Sequence, residues 1–331
     1  MNELKNLIEN NYGYTVQSVE KIKNAYKINT DRGIKCFKAS KFDINQFEFI
    51  IGAITHLMDN KFDGVIDIQP TINNKNYVEF DKRYGFLCDW IDSREANFGN
   101  PIELRMCINT LSKLHIASKG FKPKINIGIR NLYGKWIKRF KKRCDELLYF
   151  KALITKKDHY SEFDNIYLEC FDIHYNQGLK TIKDLERSNY LDIMDIHKSE
   201  AGLCHHDTAN HNFLITSDLK MYVIDFDYCI FDTHMHDLAS IIIRNLKYGN
   251  WNVEVMNYII DIYSKNIPVS DEELFIIFCF MEFPQDFWQV GLQYYVENQA
   301  WGDEFFIKKL NRITIDSKER WGFLTTVQKE V

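Results

Sequence analysis

Residues 204–228 read CHHDTANHNFLITSDLKMYVIDFDY, a stretch in which carboxylates, an amide and histidines stand close together in the chain. His205-x-Asp207 is followed five residues later by Asn212, so a carboxylate and a carboxamide share one loop. Two short apolar runs then predict a β-hairpin, which carries the chain to a second carboxylate, Asp225, at a strand end.

This arrangement supplies the groups that phosphoryl transfer from a nucleotide to a hydroxyl requires. One carboxylate, free of metal, orients the acceptor hydroxyl and accepts its proton. An asparagine and a second carboxylate hold Mg²⁺, which bridges the nucleotide phosphates and neutralises the charge that develops on them. The stretch therefore indicates an ATP-dependent phosphotransferase.

Two other interpretations of the stretch remain open. Five of the ten histidines fall in or near it, at positions 205, 206, 211, 234 and 236, as they would in a merely polar loop. The HHD motif and the later aspartates also imitate the ligands of an HD-type metal phosphohydrolase. Those ligands are expected on helices, whereas Asp207 enters a loop that runs into the predicted hairpin. The spacing and the predicted structure together favour the kinase interpretation.

Several motifs carry a resemblance to known families. H-x-D-x-x-x-x-N, then I-D-F-D, then Asp-Leu-Ala at 237–239, resemble the aminoglycoside phosphotransferase and choline kinase superfamily, which has the protein-kinase-like fold. LSKLHIASKGF (111–121), FPQDFW (283–288) and CHHDTANHN more specifically resemble the CotS-type spore coat proteins. The resemblance covers nearly the whole chain.

The resemblance assigns roles to the polar residues. Asp207 is similar to the catalytic aspartate, and Asn212 and Asp225 are similar to the magnesium ligands. Lys38, at the end of the predicted strand IKCFK, resembles the lysine that holds the α- and β-phosphates of ATP.

The predicted nucleotide site continues into neighbouring segments. Glu48, on the helix after Lys38, resembles the carboxylate that pairs with this lysine. FLCDWI (86–91) resembles the hinge between the two lobes, where the main-chain groups of Asp89 and Ile91 meet the adenine.

Two departures from the superfamily pattern weaken the expectation of fast turnover. His206 stands directly before the catalytic aspartate, where the superfamily often has glycine. The segment IKNAYKINT (22–30), expected to cover the phosphates, has no glycine to allow a close backbone approach. The sequence also has no G-x-G-x-x-G or P-loop motif, which counts against Rossmann and Walker-type nucleotide sites.

The pattern along the chain predicts an α+β protein with two lobes. The first ninety residues are rich in strand patterns, with a helix at 43–59 capped by Asp43. The predicted strands are 14–22, 25–30, 33–40, 76–80 and 84–91 in this part, and 212–216 and 221–225 later. The predicted helices are one that begins at Asn100-Pro101 and ends by Gly120, and the ranges 131–153, 161–187, 236–248 and 271–300. We therefore expect a small β-rich N-lobe at 1–91 and a larger, mostly helical C-lobe at 92–331.

Composition and local patterns count against several classes of protein. The 331 residues carry a formal net charge of −4, which gives no overall attraction to nucleic acid or acidic membranes. The basic segment KWIKRFKKR (135–143) also carries an apolar stripe, so it predicts a solvated amphipathic helix. The longest apolar run, 274–281, is too short to span a bilayer. The N-terminus has no signal-peptide pattern and the eight cysteines form no C-x-x-C pair, so we expect cytoplasmic synthesis and no disulfide framework.

The sequence thus predicts a kinase that uses ATP and Mg²⁺ to phosphorylate a hydroxyl of a small molecule or glycan. The resemblance to spore coat proteins implies the spore coat as its setting and other coat proteins as partners, with neither nucleic acid nor membrane involved. Two alternatives remain. One is a kinase-like coat scaffold with weak or no activity, and the other is a metabolic kinase of the choline, homoserine or aminoglycoside type.

Overall fold

The computed structural model describes residues 1–124, 128–297 and 299–328. Its backbone contacts divide the chain into two compact units. Unit 1 comprises Met1–Asn131 and Glu200–Asp232, and unit 2 comprises Leu132–Ser199 and Thr233–Val331. Every residue predicted above for the nucleotide, the metal or catalysis lies in unit 1. The predicted lobe boundary after residue 91 concerns a different division of the chain and stays a prediction.

Unit 1 contains the strands and the first three helices. The helices are α1 (Asn2–Tyr12), α2 (Ile44–Asp59) and α3 (Pro101–Ser118). The strands are β1 (Val16–Ile22), β2 (Ala25–Thr30), β3 (Gly33–Ala39), β4 (Ile68–Gln69), β5 (Val78–Phe80), β6 (Arg83–Asp89), β7 (Ser93–Glu95), β8 (Leu203–Cys204), β9 (Phe213–Thr216), β10 (Met221–Val223) and β11 (Ile230–Phe231).

The main sheet of unit 1 is antiparallel, with the strand order β1-β2-β3-β6-β4, and β5 also pairs with β6. Alternate residues of its strands face one side, where Ile28, Phe37 and Leu87 are fully buried. Leu4 and Ile8 of α1 pack onto the same cluster. Burying an aliphatic or aromatic side chain of this size contributes about 1.5–3 kcal/mol, so this layer holds β3 and its lysine in place.

The starts of two helices follow from their caps, as the sequence predicted. The carboxylate of Asp43 accepts hydrogen bonds from the backbone N–H groups of Asn45 and Gln46 at the start of α2. Asn100 caps α3 in the same manner, and Pro101 occupies the first turn, where a missing N–H costs nothing. Both predicted caps are confirmed.

The predicted hairpin at 212–225 is also confirmed. β9 and β10 pair antiparallel, with Met221 opposite Ile215 and Val223 opposite Phe213. β7 pairs with the other edge of β9, and the backbone N–H of Val223 donates to Gly64 O at 2.7 Å. The loop that carries Asp207 therefore lies between β8 and a hairpin fixed on both sides.

Unit 2 is helical in its described residues. Its helices are α4 (Trp136–Thr155), α5 (Glu162–Arg187), α6 (Tyr190–Glu200), α7 (Met235–Leu246), α8 (Val253–Ser264), α9 (Asp271–Glu282), α10 (Gln285–Tyr295) and α11 (Asp303–Val327). The stretch predicted as helical at 271–300 is two helices, because Pro284 lacks the N–H that a continuous helix needs. Residue 298 of that range lies outside the described residues.

The core of unit 2 explains how its longest helices pack. Aromatic side chains from α4, α5 and α10 fill one buried cluster, which includes Phe150, Tyr167 and Phe287. The rings of Tyr167 and Phe287 stack with centroids 4.3 Å apart.

Across the described part of the chain, no helix has the length and apolar character needed to cross a membrane.

Candidate active site

Lys38 binds two carboxylates that lie almost two hundred residues away in the chain. Its Nζ is 2.7 Å from Asp225 Oδ1 and 2.8 Å from Asp227 Oδ1. Burial lowers the pKa of Lys38, but the charges of Asp227 and Asp225 outweigh this effect, so its pKa is raised overall. Lys38 is therefore a charged ammonium held in place at the end of β3.

Asp225 directly follows the hairpin in a backbone conformation that few residues adopt. Its φ of +64° lies in the left-handed region, which aspartate tolerates better than most non-glycine residues. Its side chain remains 42% exposed, whereas that of Asp227 is 19% exposed. Burial raises the pKa of Asp225, but the charge of Lys38 and its hydrogen bond prevail, and the net pKa is lowered. The turn thus presents an ionised carboxylate to solvent.

His205 connects the loop that carries Asp207 to the strand end that precedes Asp225. The buried ring accepts a hydrogen bond at Nδ1 from the backbone N–H of Asp207, with a distance of 3.3 Å. Its Nε2 lies 2.8 Å from the carbonyl oxygen of Ile224, to which it donates. The two bonds together require the neutral tautomer with hydrogen on Nε2. His205 therefore sets the position of Asp207 relative to Asp225.

Asn212 makes the second connection between these segments. Its Nδ2 donates to Asp207 O at 2.9 Å and to Asp207 Oδ2 at 3.0 Å. Its backbone carbonyl accepts a hydrogen bond from Ile224 N at 2.9 Å, which brings Asn212 beside Asp225. With the amide nitrogen directed to Asp207, the amide oxygen accepts no hydrogen bond from any described residue.

The donor set fits a hard divalent cation. Mg²⁺ is typically bound by one or two carboxylates, with phosphate and water oxygens completing its octahedron. The amide oxygen of Asn212 and the exposed carboxylate of Asp225 are such donors on adjacent backbone segments. These two residues could hold the metal, and Asp227 supplies a further carboxylate on the same turn.

The structure does not bring Glu48 to Lys38. The carboxylate of Glu48 accepts a hydrogen bond from Tyr77 Oη at 2.8 Å. No ion pair within 4 Å joins it to Lys38. Among the described residues, the ammonium group of Lys38 pairs only with the two aspartates of the turn after β10. A role for Glu48 in nucleotide binding stays a prediction.

The predicted hinge residues lie at the end of β6 and just beyond it. Asp89 faces Lys35 of β3 across the sheet and forms an ion pair with it through its side chain. The carbonyl oxygen of Ile91 accepts a hydrogen bond from Ser93 Oγ at 3.2 Å. Contact of their main chains with adenine stays a prediction.

Sequence reasoning missed two residues of this site. Asp227 was visible as the second aspartate of I-D-F-D, and its spacing from Asp225 was the available signal. Arg130 had no such signal, because its contacts are all distant in sequence. Its guanidinium donates to the carbonyl oxygens of Asp227 and Cys229, at 3.0 and 2.8 Å, and lies 5.1 Å from the ring centre of Phe42. Arg130 thereby braces the turn that carries both aspartates.

Solved structures show which fold the chain adopts. An aminoglycoside phosphotransferase from Alicyclobacillus acidocaldarius superimposes with a TM-score of 0.82 at 19% identity, over 95% of this chain and 92% of that one. A spectinomycin phosphotransferase in complex with ADP and spectinomycin superimposes with a TM-score of 0.65 at 15% identity, over 96% of this chain and 98% of that one. At these identities the likeness shows the fold, and the predicted kinase-like fold is confirmed.

Sequence comparisons show the family. Spore coat protein S of Bacillus subtilis is 20% identical over 299 residues, which cover 89% of this chain and 84% of that protein. Residues 5–327 match the family model described as "Spore coat putative kinase YutH". Since that match spans nearly the whole chain, the protein belongs to the YutH family of spore coat kinase-like proteins.

Proposed function

We propose that this protein transfers the γ-phosphate of ATP, with the help of Mg²⁺, to a hydroxyl group of a small molecule or glycan in the setting of the spore coat. One observation carries the proposal. Hydrogen bonds join the four residues in sequence. Lys38 bonds to the side chain of Asp225, and the backbone of the preceding residue, Ile224, bonds to the backbone of Asn212. The side chain of Asn212 then bonds to the carboxylate of Asp207. The phosphate-binding, metal-binding and proton-accepting groups of a phosphotransferase are thus linked within unit 1.

Lys38 and the turn after β10 form the nucleotide side of the proposed site. A charged ammonium at the end of β3 suits the phosphate oxygens of ATP, which would take the place of Asp225 while Asp227 stays bonded to Lys38. Bound at Asn212 and Asp225, Mg²⁺ would supply the positive charge that neutralises the transferred phosphoryl group. The ADP bound by the spectinomycin phosphotransferase supports a nucleotide for this chain as well.

Asp207 is the proposed base toward the acceptor. Asn212 donates to one oxygen of its carboxylate, which fixes the orientation of the group. In this chemistry an aspartate so placed orients the acceptor hydroxyl and accepts its proton, while positioning and charge neutralisation provide most of the catalysis. The spectinomycin in the related structure supports a small-molecule acceptor, and the family supports the spore coat as the setting.

One observation favours a second candidate, a coat scaffold that keeps the fold with little activity. Ile22 pairs with Ala25, so only Lys23 and Asn24 form the turn between β1 and β2. A two-residue turn without glycine offers few backbone N–H groups for phosphate oxygens. This candidate predicts weak ATP binding or none.

A single-turnover assay with γ-labelled ATP and Mg²⁺ tests the proposal, with a panel of hydroxylated metabolites and spore glycans as acceptors. We expect label on at least one acceptor class. Binding is measured in parallel, because Mg-ATP at a hundred times its Kd stabilises the fold by about 2.7 kcal/mol. For a protein of this size that is a rise in Tm of several degrees. If no label reaches any acceptor or water, the scaffold replaces the enzyme, and a missing rise in Tm with Mg-ATP would support the scaffold further.

A further inference from the structure

Unit 2 contains a cluster of two imidazoles and a carboxylate that the proposed function does not use. Nε2 of His197, near the end of α6, is 3.1 Å from Glu273 Oε1. Nε2 of His234, the residue before α7, is 3.3 Å from the same oxygen, and the two ring centroids are 4.8 Å apart. Three separate elements of unit 2 therefore direct one ligand-type atom each toward a common point.

Neighbouring groups fix the orientation of two members of the cluster, His197 and Glu273. His197 Nδ1 and Thr233 Oγ1 are hydrogen-bonded at 2.7 Å, which leaves Nε2 directed toward Glu273. The other carboxylate oxygen of Glu273 accepts a hydrogen bond from the backbone N–H of Ser270, as part of the capping box of α9. Outer partners of this kind orient the ligands in protein metal sites.

The charge and accessibility of the cluster suit a cation. The side chains of His197 and His234 are each 13% exposed and that of Glu273 is 11% exposed, so the cluster is largely enclosed but reachable from solvent. Burial raises the pKa of Glu273, but hydrogen bonds from His197 and His234 and from the backbone of Ser270 lower it more. The result is a pKa well below the usual range and an ionised carboxylate beside two imidazoles.

The distances within the cluster agree with a small tetrahedral coordination sphere. Zinc binds histidine nitrogen at about 2.0–2.1 Å and carboxylate oxygen at about 2.0–2.2 Å. The edge of a tetrahedron is about 1.6 times the distance from its centre to a corner, which gives roughly 3.3–3.5 Å between ligand atoms with these bond lengths. The two observed nitrogen–oxygen distances fall within a few tenths of an ångström of that edge, so small side-chain shifts suffice to admit a metal.

The ligand types select the class of metal. Imidazole nitrogen is preferred by zinc and related transition metals, whereas Mg²⁺ prefers oxygen alone. We infer that His197, His234 and Glu273 form a site for a zinc-type divalent transition metal, with water as the fourth ligand. Such a metal cross-links α6, the start of α7 and the first turn of α9, so it stabilises unit 2. This site differs in place and in chemistry from the oxygen ligands Asn212 and Asp225.

Calorimetric titration of chelator-treated protein with Zn²⁺ tests the inference. We expect one equivalent to bind to the wild type. Glu273→Gln and His197→Gln each remove a ligand, so each should weaken Zn²⁺ binding by more than the roughly 10- to 100-fold cost of losing an outer partner. Glutamine at position 273 can still complete the capping box, which preserves the start of α9. His159→Gln, at an exposed histidine outside the cluster, is the matched control and should bind like the wild type.

Two further readouts distinguish a tetrahedral centre in unit 2 from zinc bound at surface histidines or at the magnesium ligands. Bound Co²⁺ should give the intense visible absorption of a tetrahedral centre in the wild type and in His159→Gln, but not in Glu273→Gln or His197→Gln. Zn²⁺ should raise the Tm of Asp225→Ala by as much as it raises that of the wild type. The comparison uses only the rise in Tm on adding Zn²⁺, so it holds even if the variant is less stable than the wild type without metal. Failure of the wild type to bind one equivalent, or equal binding by Glu273→Gln and His197→Gln, overturns the inference. Neither result bears on phosphate transfer.

Discussion

Lys38 Nζ lies 2.8 Å from Asp227 Oδ1, so the second aspartate of the turn is a direct partner of the lysine proposed to bind phosphate. Lys38 bonds to both aspartates, but the side chain of Asp227 is less exposed than that of Asp225, so the two carboxylates have different surroundings. Asp225 can face a metal, while Asp227 can keep Lys38 in place when nucleotide binds. Asp227 thus occupies the position, relative to the lysine, that the sequence had suggested for Glu48.

Asp227→Asn should weaken Mg-ATP binding by roughly 10- to 150-fold, because a hydrogen bond between charged groups contributes about 1.5–3 kcal/mol and 1.4 kcal/mol is a factor of about ten. Glu48→Gln is the matched control, since Glu48 bonds to Tyr77 and not to Lys38. It should leave the Kd for Mg-ATP within twofold of the wild type. Calorimetry on the three proteins measures this. The opposite pattern, with Glu48→Gln impaired and Asp227→Asn unaffected, would return the role to Glu48.

Asp225→Ala should abolish the metal-dependent part of nucleotide binding, because a hard cation loses a full carboxylate charge. Asp207→Asn should leave that binding nearly intact, since the proposed role of Asp207 is toward the acceptor. The measurement is ATP binding with Mg²⁺ and with chelator, for both variants. Our assignment of roles is wrong if Asp207→Asn loses nucleotide as severely as Asp225→Ala.

The contrast between Glu48 and Asp227 shows where sequence reasoning succeeded and where it could not. The hairpin, the caps at Asp43 and Asn100 and the position of Lys38 on β3 follow from local patterns, which the sequence displays directly. The pairing of Lys38 with Asp227 does not follow from a local pattern. The two residues are 189 positions apart in the sequence, and only the tertiary fold brings them together. The strands β4, β7, β8 and β11 were missed for a related reason. Two or three residues show no period, and their pairing depends on distant segments.

Glu103 supplies a pH-dependent brace after the predicted hinge. Arg94 donates to both of its carboxylate oxygens at 2.8 Å, and the backbone N–H of Asn97 donates at 2.8 Å. These contacts lower the pKa of Glu103 from an ordinary value of 4.5 to about 2. The hydrogen bonds from Arg94 have the largest effect, and the one from Asn97 adds to it. A lowered pKa stabilises the folded state above pH 4.5, and this contribution disappears as the pH falls toward 2.

Glu103→Gln should therefore lower the free energy of unfolding most at neutral pH, and the difference from the wild type should shrink between pH 4.5 and pH 2. Urea denaturation at several pH values measures this difference. Glu304→Gln, at an exposed pair with Lys308, is the control and should have little effect at any pH. If Glu103→Gln were less stable than the wild type by the same amount at every pH, the lowered pKa of Glu103 would not be the source of its contribution to stability.

Replacing either of two helical glycines of unit 2 with alanine should change the free energy of unfolding, in opposite directions for the two positions. A Cβ at Gly291 of α10 would lie 2.5 Å from Tyr167 Oη and 2.8 Å from Phe150 Cδ2, whereas nothing lies within 4 Å of a Cβ at Gly322 of α11. Gly291→Ala should lower the free energy of unfolding by about 1–3 kcal/mol through overpacking. Gly322→Ala should raise it by about 0.5–1 kcal/mol, because alanine favours the helix. Denaturant titration of both variants measures these changes. An unchanged free energy of unfolding for Gly291→Ala would contradict the close packing around Gly291.

Asp207→Asn should separate phosphate transfer from nucleotide binding. Asparagine keeps the shape of the side chain and can still bond to Asn212, but it cannot take a proton from the acceptor hydroxyl. Removing a positioned base typically lowers the rate by about 10²–10⁴, while the rise in Tm with Mg-ATP should persist. Some activity should remain, since positioning and charge neutralisation supply much of this catalysis. Single-turnover measurements with labelled ATP compare the variant with wild type prepared in parallel. Equal rates would mean that another residue, or a contaminant, is responsible for the transfer.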